Sequence, residues 1–348
     1  MSPYVPAILL SSLGLGTTIT FASSHWLLAW MGLEINTLAI APLMTNQHHP
    51  RAVEATTKYF LTQATAAAMI LFASTTNAWM HGQWDITQLT HPIASTIAMT
   101  ALALKIGLAP MHFWLPEVLQ GIDLYTGLIL STWQKLAPFA LILQMTENTH
   151  PLMLTILAIS STLVGGWGGL NQTQLRKILA YSSIAHLGWM ILVSQMAPHL
   201  TLIALLTYII MTTAMFLTLK NTNSTMTINL TTAWTKTPTL TTMASFTLLS
   251  LGGLPPLTGF MPKWLILQET TNQGLTTTAT IMALTALLSL YFYLRLTYTM
   301  TLTMSPQTTN STSPWRTQPK QPTLPLSTTI ILATCLLPLT PTIMTILT

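Results

Sequence analysis

Residues 102–118 read LALKIGLAPMHFWLPEV, and residues 248–269 read LLSLGGLPPLTGFMPKWLILQE. Each stretch is an apolar run that is interrupted by glycine and proline and carries a lysine close to the interruption. Proline removes a backbone donor and clashes with the preceding helical turn. In a bilayer, unpaired backbone of this kind is tolerated only where it packs within protein or lines a cavity. Both stretches predict discontinuous membrane helices, with the breaks formed by Gly107, Pro110, Gly252, Gly253, Pro255 and Pro256.

The composition excludes most soluble classes of protein. Of the 348 residues, 50% are hydrophobic and only 5% are charged, whereas an average soluble domain carries about 25% charged residues. The apolar content also excludes a disordered chain. The single cysteine, Cys335, excludes a disulfide framework, a zinc ribbon or an iron–sulfur cluster within this chain. The net charge of +5 is spread too sparsely to bind nucleic acid.

The apolar runs are long enough to cross a bilayer as helices, which takes about 20 residues each. Strands of a membrane barrel would be about ten residues long and alternate in polarity, and these runs do neither. We therefore expect an all-α integral membrane protein of about eleven transmembrane helices. The predicted spans lie roughly at 3–23, 25–45, 58–78, 93–115, 123–145, 151–170, 177–197, 199–219, 239–270, 274–296 and 325–347.

The cationic side chains predict the orientation. If eleven spans alternate in direction, nine of the 12 Lys and Arg residues lie on one side of the membrane and none on the other. An excess of Lys and Arg marks the inner side, so the N-terminus is expected inside and the C-terminus outside. The nine are Arg51, Lys58, Arg176, Lys177, Lys220, Lys236, Arg295, Arg316 and Lys320.

The two interrupted runs also predict an internal repeat. They are the fourth and ninth spans, and an odd separation means that they cross the membrane in opposite directions. A single polytopic domain is expected, with inverted five-helix repeats at 1–150 and 151–300 and a polar loop with a final helix at 301–348. Paired, interrupted helices in inverted halves point to a transport path. The alternative is that Gly and Pro are simply common in membrane helices.

Four charged residues lie away from the ends of the predicted spans, namely Glu34, Lys105, Lys135 and Lys263. Each costs roughly 2.5–3.5 kcal/mol near the bilayer centre, so partner charges or water must stabilise them. A structural ion pair of Glu34 with one lysine would leave two lysines unexplained. A buried ionic path explains all four. A lysine can release its proton in an apolar setting, whereas arginine stays charged.

Two histidines in apolar stretches are further candidates. His112 follows the first break, and His186 lies within YSSIAHLGW, near the middle of the seventh span. Each is either a proton relay or a histidine hydrogen-bonded to a neighbouring helix, and the sequence leaves both readings open. No metal-ligand set, nucleotide-binding motif or catalytic triad is present, so no cofactor, metal or redox chemistry is expected in this chain.

The two interrupted blocks, together with MGLEIN at 31–36, resemble the antiporter-like membrane subunits of respiratory complex I. The Thr-, Met- and Leu-rich composition is similar to that of mitochondrially encoded, vertebrate-like subunits. The resemblance implies a place in the mitochondrial inner membrane, with the N-terminus on the matrix side and the C-terminus on the intermembrane side. It also implies a proton-translocating NADH:ubiquinone reductase, in which FMN, iron–sulfur clusters and ubiquinone lie in other subunits. The implied partners are other membrane-arm subunits, including antiporter-like neighbours, accessory subunits and lipid.

The resemblance also implies roles for the buried residues. Glu34 and Lys105 would form the family's glutamate–lysine pair, and Lys135 would be the central lysine that joins two half-channels. Lys263 would be the terminal lysine toward the outer side, with His112 and His186 on the same polar axis. Two other functions stay open at this point, a stand-alone cation/proton antiporter and a purely structural membrane-arm subunit.

Overall fold

The computed structural model describes residues 4–46, 49–235, 237–302 and 323–347. Within these ranges the chain forms sixteen α-helices and no β-sheet. The helices are α1 Tyr4–Ala22, α2 Trp26–Met44, α3 Pro50–His81, α4 Pro92–Ile106, α5 Trp114–Gly121, α6 Leu124–Ser131, α7 Trp133–Met145, α8 Pro151–Gly169, α9 Leu175–Ser194, α10 Pro198–Asn221, α11 Thr227–Thr232, α12 Pro238–Gly252, α13 Phe260–Asn272, α14 Thr276–Leu302, α15 Leu324–Cys335 and α16 Thr340–Leu347.

The prediction of an all-α membrane protein is confirmed. In the described ranges, seven helical segments are long and apolar enough to cross a bilayer, and the bent pair Leu324–Cys335 and Leu337–Thr345 makes an eighth. Every predicted run contains at least one helix, and the fourth and ninth runs are each split into two. The total of eleven spans and the inverted repeats stay predictions.

The chain divides into two compact units, Met1–Ser161 and Thr162–Thr348. In the first unit, α3 packs on α2, α4 and α5, and α7 packs on α4 and α1. In the second unit, α12 packs on α14, while α10 packs on α9, α12 and α15. The repeat limits at 150 and 300 stay predictions.

Helices α1 and α2 approach each other closely because glycines face each other. A Cβ atom at Gly32 would lie 2.8 Å from the carbonyl oxygen of Gly16 and 2.6 Å from Cγ2 of Thr20. Small residues allow such backbone approach in membrane helices. This contact fixes the position of α2, which carries Glu34.

Helix α3 begins earlier than the predicted span at 58–78. Pro50 occupies its first turn, where a missing N–H costs nothing, and the His49 ring accepts the N–H of Arg51 as a cap. Arg51, which was expected in a loop, therefore lies on this helix, and Lys58, expected at the inner end of the span, lies two turns inside it.

The structure adds two irregularities that the sequence analysis did not predict. Thr132 separates α6 from α7, and its hydroxyl donates to the carbonyl of Leu128 at 2.7 Å. Threonine hydroxyls that bond back to the i−4 carbonyl often accompany a bend in a helix. A 68° bend follows Cys335, next to Pro338, which cannot continue the helical ladder. Lys236 and residues 303–322 lie outside the described residues. Three of the charges predicted on the inner side, Lys236, Arg316 and Lys320, are among them.

Candidate functional site

The first helix break lies at the end of α4 and is closed by a left-handed glycine. Gly107 has φ 87°, and the N–H groups of Gly107 and Leu108 both donate to the carbonyl of Ala103 at 2.9 Å. This is the usual glycine-terminated end of a helix. Beyond it, the chain turns through Pro110 before α5 begins.

Side chains from elsewhere satisfy the carbonyls that this break leaves open. The indole N–H of Trp114 donates to the Leu104 carbonyl at 2.9 Å. The Gln63 amide, on α3, donates to the Lys105 carbonyl at 3.4 Å. Buried carbonyls without partners are costly, so these two contacts stabilise a broken helix in an apolar setting.

A small polar cavity beside this break brings two predicted lysines together. Lys105, at the end of α4, and Lys135, on α7, both line a cavity of about 20 Å³. Their side chains are only 6% and 5% exposed. A cavity of this size, with several polar groups around it, can hold a water molecule. The other polar side chains that line it are Asn36, Thr37, Tyr59, Gln63 and Gln134.

Glu34 lies on α2 close to this cavity without lining it. Its carboxylate is within electrostatic range of both Lys105 and Tyr59. Glu34 Oε2 and Lys105 Nζ are buried, and neither has a hydrogen-bond partner in the described part of the chain. The two groups of opposite charge therefore interact at a distance rather than through a direct hydrogen bond.

Lys135 stands between two helix irregularities. The break at Thr132 comes just before it, and the backbone N–H of Lys135 donates to the Thr132 carbonyl at 3.3 Å. Pro138 follows within α7 and also lines the cavity. Regular i→i−4 backbone hydrogen bonds are interrupted both before and after Lys135. Backbone polar groups therefore lie close to this buried lysine.

His112 belongs to the break itself. It is buried, its Nδ1 lies 3.3 Å from the Pro110 carbonyl oxygen, and its ring lies 4.3 Å from that of Phe113. The residue thus organises the backbone of the break and is not among the side chains that line the cavity of the two lysines.

The second break, in the second unit, repeats the glycine-terminated geometry. Gly253 has φ 81°, and the N–H groups of Gly253 and Leu254 donate to the Leu249 carbonyl at 3.1 and 3.3 Å. Here the lysine itself satisfies the open end. Lys263 Nζ donates to the carbonyl of Gly252 at 2.8 Å. A cation at the C-terminus of a helix also interacts favourably with the helix dipole.

Two hydroxyl groups tie this second break to the C-terminal helix α15. Ser250 donates to the carbonyl of Ala333 at 2.8 Å, and Thr258 donates to the same oxygen. Ser250 lies just before the break and Thr258 follows Pro255 and Pro256. The two ends of the break are thereby held at one point.

His186 lies in the same unit, buried within α9. Its ring is 5.7 Å from that of Tyr208 on α10, and Ser182 and Ser183 on the same helix are also buried. Helix α9 packs on α13, which carries Lys263. His186 is therefore part of a polar cluster of the second unit.

One exposed ion-pair network lies on the first unit. Lys58 Nζ lies 2.7 Å from Glu54 Oε1 and 2.8 Å from Glu117 Oε2, which links α3 to α5. The hydrogen bond from Lys58 and its positive charge lower the pKa of the exposed Glu54 carboxyl. Exposed pairs contribute little to stability, so Lys58 provides a control for the buried lysines.

Sequence reasoning missed the uncharged polar residues of the site. Asn36, Gln63 and Gln134 line the cavity, and nothing in their spacing marks them. The signal that could have found them is the presence of an amide side chain within an apolar helix, because such an amide needs a hydrogen-bond partner from a neighbouring helix.

Comparisons with known proteins agree with this architecture. The family described as NADH:quinone oxidoreductase/Mrp antiporter, TM matches residues 23–289, and NADH dehydrogenase subunit 2 C-terminus matches 290–344. The chain is 73% identical to NADH-ubiquinone oxidoreductase chain 2 of Carassius auratus over the full length of both, and 61% identical to that of Scyliorhinus canicula, also over both full lengths. A chain of respiratory complex I from Thermus thermophilus superposes with a TM-score of 0.85 at 30% identity, covering 97% of this chain and 78% of that one.

Proposed function

The chain belongs to the NADH:quinone oxidoreductase/Mrp antiporter family of membrane proteins, and we propose that it moves protons through its buried lysines. It is a membrane-arm subunit of proton-pumping NADH:ubiquinone oxidoreductase, respiratory complex I. Electron transfer from NADH to ubiquinone takes place in other subunits, which hold FMN, the iron–sulfur clusters and the quinone site. Its partners are other membrane-arm subunits, including antiporter-like neighbours, with accessory subunits and lipid.

The observation that carries the proposal is the shared cavity of Lys105 and Lys135. Two lysines from different helices, together with several uncharged polar side chains, line one cavity of about 20 Å³ inside an apolar unit. The cost of burying them is large, and a fold that needed only packing would place apolar side chains there. Two amines in one cavity can instead exchange a proton through water.

The roles follow from where each group lies. Glu34 is the charge that biases Lys105, because its carboxylate acts on that lysine from a distance. A shift of α2 relative to α4 would change this interaction and hence the ease with which Lys105 holds its proton. Lys135 is the next acceptor. Lys263, in the second unit, is the terminal lysine toward the outer side, and His112 in the first unit and His186 in the second are supporting polar groups.

We further propose that the chain lies in the mitochondrial inner membrane with its N-terminus in the matrix. This is supported by the names of its relatives and by the one-sided distribution of Lys and Arg. A cysteine introduced at the exposed Asn171, in a chain with Cys335→Ser, is expected to react with an impermeant thiol reagent from the matrix side alone. Labelling from the intermembrane side would reverse the orientation.

Replacement of Lys135 by methionine in the assembled complex tests the function. Positioned proton-transfer groups contribute roughly 10²–10⁴-fold to rate, so we expect Lys135→Met to lower the pumping rate per complex by about 100-fold or more. Lys58→Met, which removes an exposed lysine, is the matched control and is expected to pump normally. Full pumping with Lys135→Met would favour a purely structural subunit instead.

The stand-alone antiporter is the second candidate. A chain of the Mrp complex from Dietzia sp. has a TM-score of 0.76 at 17% identity, which shows a shared fold alone. Purification separates the candidates, because a complex I subunit is expected to copurify with flavin and iron–sulfur proteins. A chain that purifies alone and exchanges cations for protons would contradict the assignment.

A further inference from the structure

Formal charge is divided unequally between the two compact units. The first unit has four lysines and arginines against six acidic side chains, which gives a formal charge of −2. The second has eight lysines and arginines against one acid, which gives +7. The preference of Lys and Arg for one side of a membrane explains where cations lie. It does not explain why only one unit lacks acids to balance them.

Short connecting segments bring four cations of the second unit to one end of it. The turn after α8 meets the segment after α10, because the N–H of Leu175 donates to the Thr225 carbonyl at 3.1 Å. Arg295, on α14, reaches the same turn, where its Nη1 donates to the Leu170 carbonyl at 2.6 Å. The first turn of α9 and the last turn of α10 supply the other three cations. The four are Arg176, Lys177, Lys220 and Arg295.

The only acid of the second unit lies far from these cations. Glu269 is near the end of α13, where its carboxylate accepts a hydrogen bond from the Gln273 amide at 2.9 Å. Helix α14 then begins at Thr276, and at 1.5 Å per residue it separates that end from Arg295 by roughly 28 Å. Charges in water are screened over about 8 Å. Glu269 therefore cannot balance the cations, whereas in the first unit Lys58 contacts two carboxylates.

The face of α14 that carries Arg295 matches the layers of a bilayer. Five side chains spaced three or four residues apart share this face, and all five are exposed. Leucine suits acyl chains, tyrosine concentrates at the membrane interface, and a cation suits the headgroups of anionic lipids. In chain order the five are Leu284, Leu287, Tyr291, Arg295 and Tyr298.

Helix α8 adds an exposed aromatic side chain beside the same helix. A Cβ atom at Gly166 would lie 2.9 Å from Cβ of Leu288, and one at Gly169 would lie 2.8 Å from Cδ1 of Phe292. The two glycines therefore let α8 pack closely on α14. Trp167, between them, is 74% exposed, as is common for tryptophan at the interface.

We propose that this end of the second unit binds the phosphate headgroup of an anionic phospholipid, with the acyl chains along the exposed face of α14. Arg295 uses one of its N–H groups for the Leu170 carbonyl, which holds the side chain in place and leaves donors for a phosphate. Arg176, Lys177 and Lys220 add positive potential. The inference goes beyond proton transport and does not depend on it.

Photoreactive lipids in the assembled complex test this site. The complex is reconstituted in phosphatidylcholine vesicles that contain a small fraction of diazirine-labelled phosphatidylglycerol, or of phosphatidylcholine with the same labelled acyl chains. After illumination, mass spectrometry measures the lipid crosslinked to residues 284–298 per complex. This measurement reports on one face of one helix, although the complex contacts lipid elsewhere.

We expect phosphatidylglycerol to crosslink to this face at least tenfold more than phosphatidylcholine. One cation near a membrane surface accounts for about fivefold in affinity for an anionic lipid, and here several act together. Arg295→Gln is expected to lower crosslinking of phosphatidylglycerol about fivefold and to leave phosphatidylcholine unchanged. Arg295→Lys, which keeps the charge, is expected to stay within about twofold. Arg51→Gln is the matched control, because it removes an exposed arginine close to Glu54 in the first unit, and it is expected to change neither lipid.

Equal crosslinking of the two lipids in the unaltered complex would overturn the proposal, because the face would then be an ordinary lipid boundary. Crosslinks to a neighbouring subunit instead of lipid would also overturn it. A preference for phosphatidylglycerol that survives both Arg295→Gln and Lys177→Gln would show that these cations do not bind the headgroup. If Arg295→Gln does not assemble, Lys177→Gln still decides. Each of these results leaves the pumping test with Lys135→Met unaffected.

Discussion

The Gly253→Ala substitution tests how much the hydrogen bond from Lys263 contributes to the stability of the second helix break. Gly253 has φ 81°, and an added Cβ would lie 2.9 Å from Lys263 Nζ and 3.0 Å from its Cδ. The end of a lysine side chain can move aside, but Nζ donates to the Gly252 carbonyl at 2.8 Å. Moving it therefore costs the hydrogen bond rather than a rearrangement of the backbone.

The magnitude has two parts. A non-glycine residue in the left-handed conformation costs roughly 1–2 kcal/mol, and a lost hydrogen bond to a charged group costs roughly 1.5–3 kcal/mol. Gly274→Ala isolates the first part, because Gly274 has φ 77° and no atom lies within 4 Å of its Cβ position. The difference between the two variants, roughly 1.5–3 kcal/mol, corresponds to about 10–100-fold in a local equilibrium.

Amide hydrogen exchange in the isolated complex measures this difference. The N–H of Leu254 closes the break by donating to Leu249, and that of Leu275 closes the control turn by donating to Thr270. Exchange at Leu254 in Gly253→Ala is expected to accelerate about 10–100-fold more than exchange at Leu275 in Gly274→Ala. Equal accelerations would show that Lys263 contributes nothing to the stability of the break.

Two further changes probe the hydrogen bonds that close the breaks. Trp114→Phe removes the donor to the Leu104 carbonyl and is expected to destabilise the end of α4 by about 1–3 kcal/mol. Trp26→Phe, whose buried Nε1 has no partner in the described chain, is expected to be neutral in the same exchange measurement, and equal effects would contradict this reasoning. Thr258→Val is expected to cost about 1 kcal/mol while Ser250 still donates to the shared α15 carbonyl. Thr258→Val with Ser250→Ala is then expected to cost more than the sum of the single changes, as measured by exchange or proteolysis of α15, and strict additivity would be evidence against a shared acceptor.

The sequence predicts the features that depend on strong local signals. Continuous apolar runs identify helices, and clustered glycine and proline identify the breaks after Lys105 and before Lys263. A charge inside an apolar run is equally visible. Both breaks end on a left-handed glycine as the physics of helix termination requires, and both lie at the predicted positions.

Weaker or non-local signals left the remainder unpredicted. At the break after α6, the Thr132 hydroxyl donates to the i−4 carbonyl. Many other threonines in this chain make the same hydrogen bond within unbroken helices. The sequence therefore does not distinguish Thr132 from them. The cavity depends on residues that are distant in sequence, such as Asn36 on α2 and Gln63 on α3. The special role of Gly16 is a contact with another helix, which no local pattern encodes.

The two breaks also differ in a way that matters for their lysines. Lys105 precedes its break, its own carbonyl accepts a hydrogen bond from the Gln63 amide, and its side chain lines a cavity. Lys263 follows its break and bonds the open helix end directly. The Lys105 ammonium therefore has no hydrogen-bond partner among the described residues, whereas the Lys263 ammonium is bonded to backbone. The lysines of the two helix breaks, Lys105 and Lys263, therefore have different surroundings.

The most direct test is to observe water between the two lysines of the first unit. A cryo-EM map of the complete complex that resolves ordered waters is expected to show at least one in the cavity bounded by Lys105, Lys135 and Asn36, within hydrogen-bond distance of an Nζ atom. A dry cavity, or lysine amines turned toward lipid, would contradict the account.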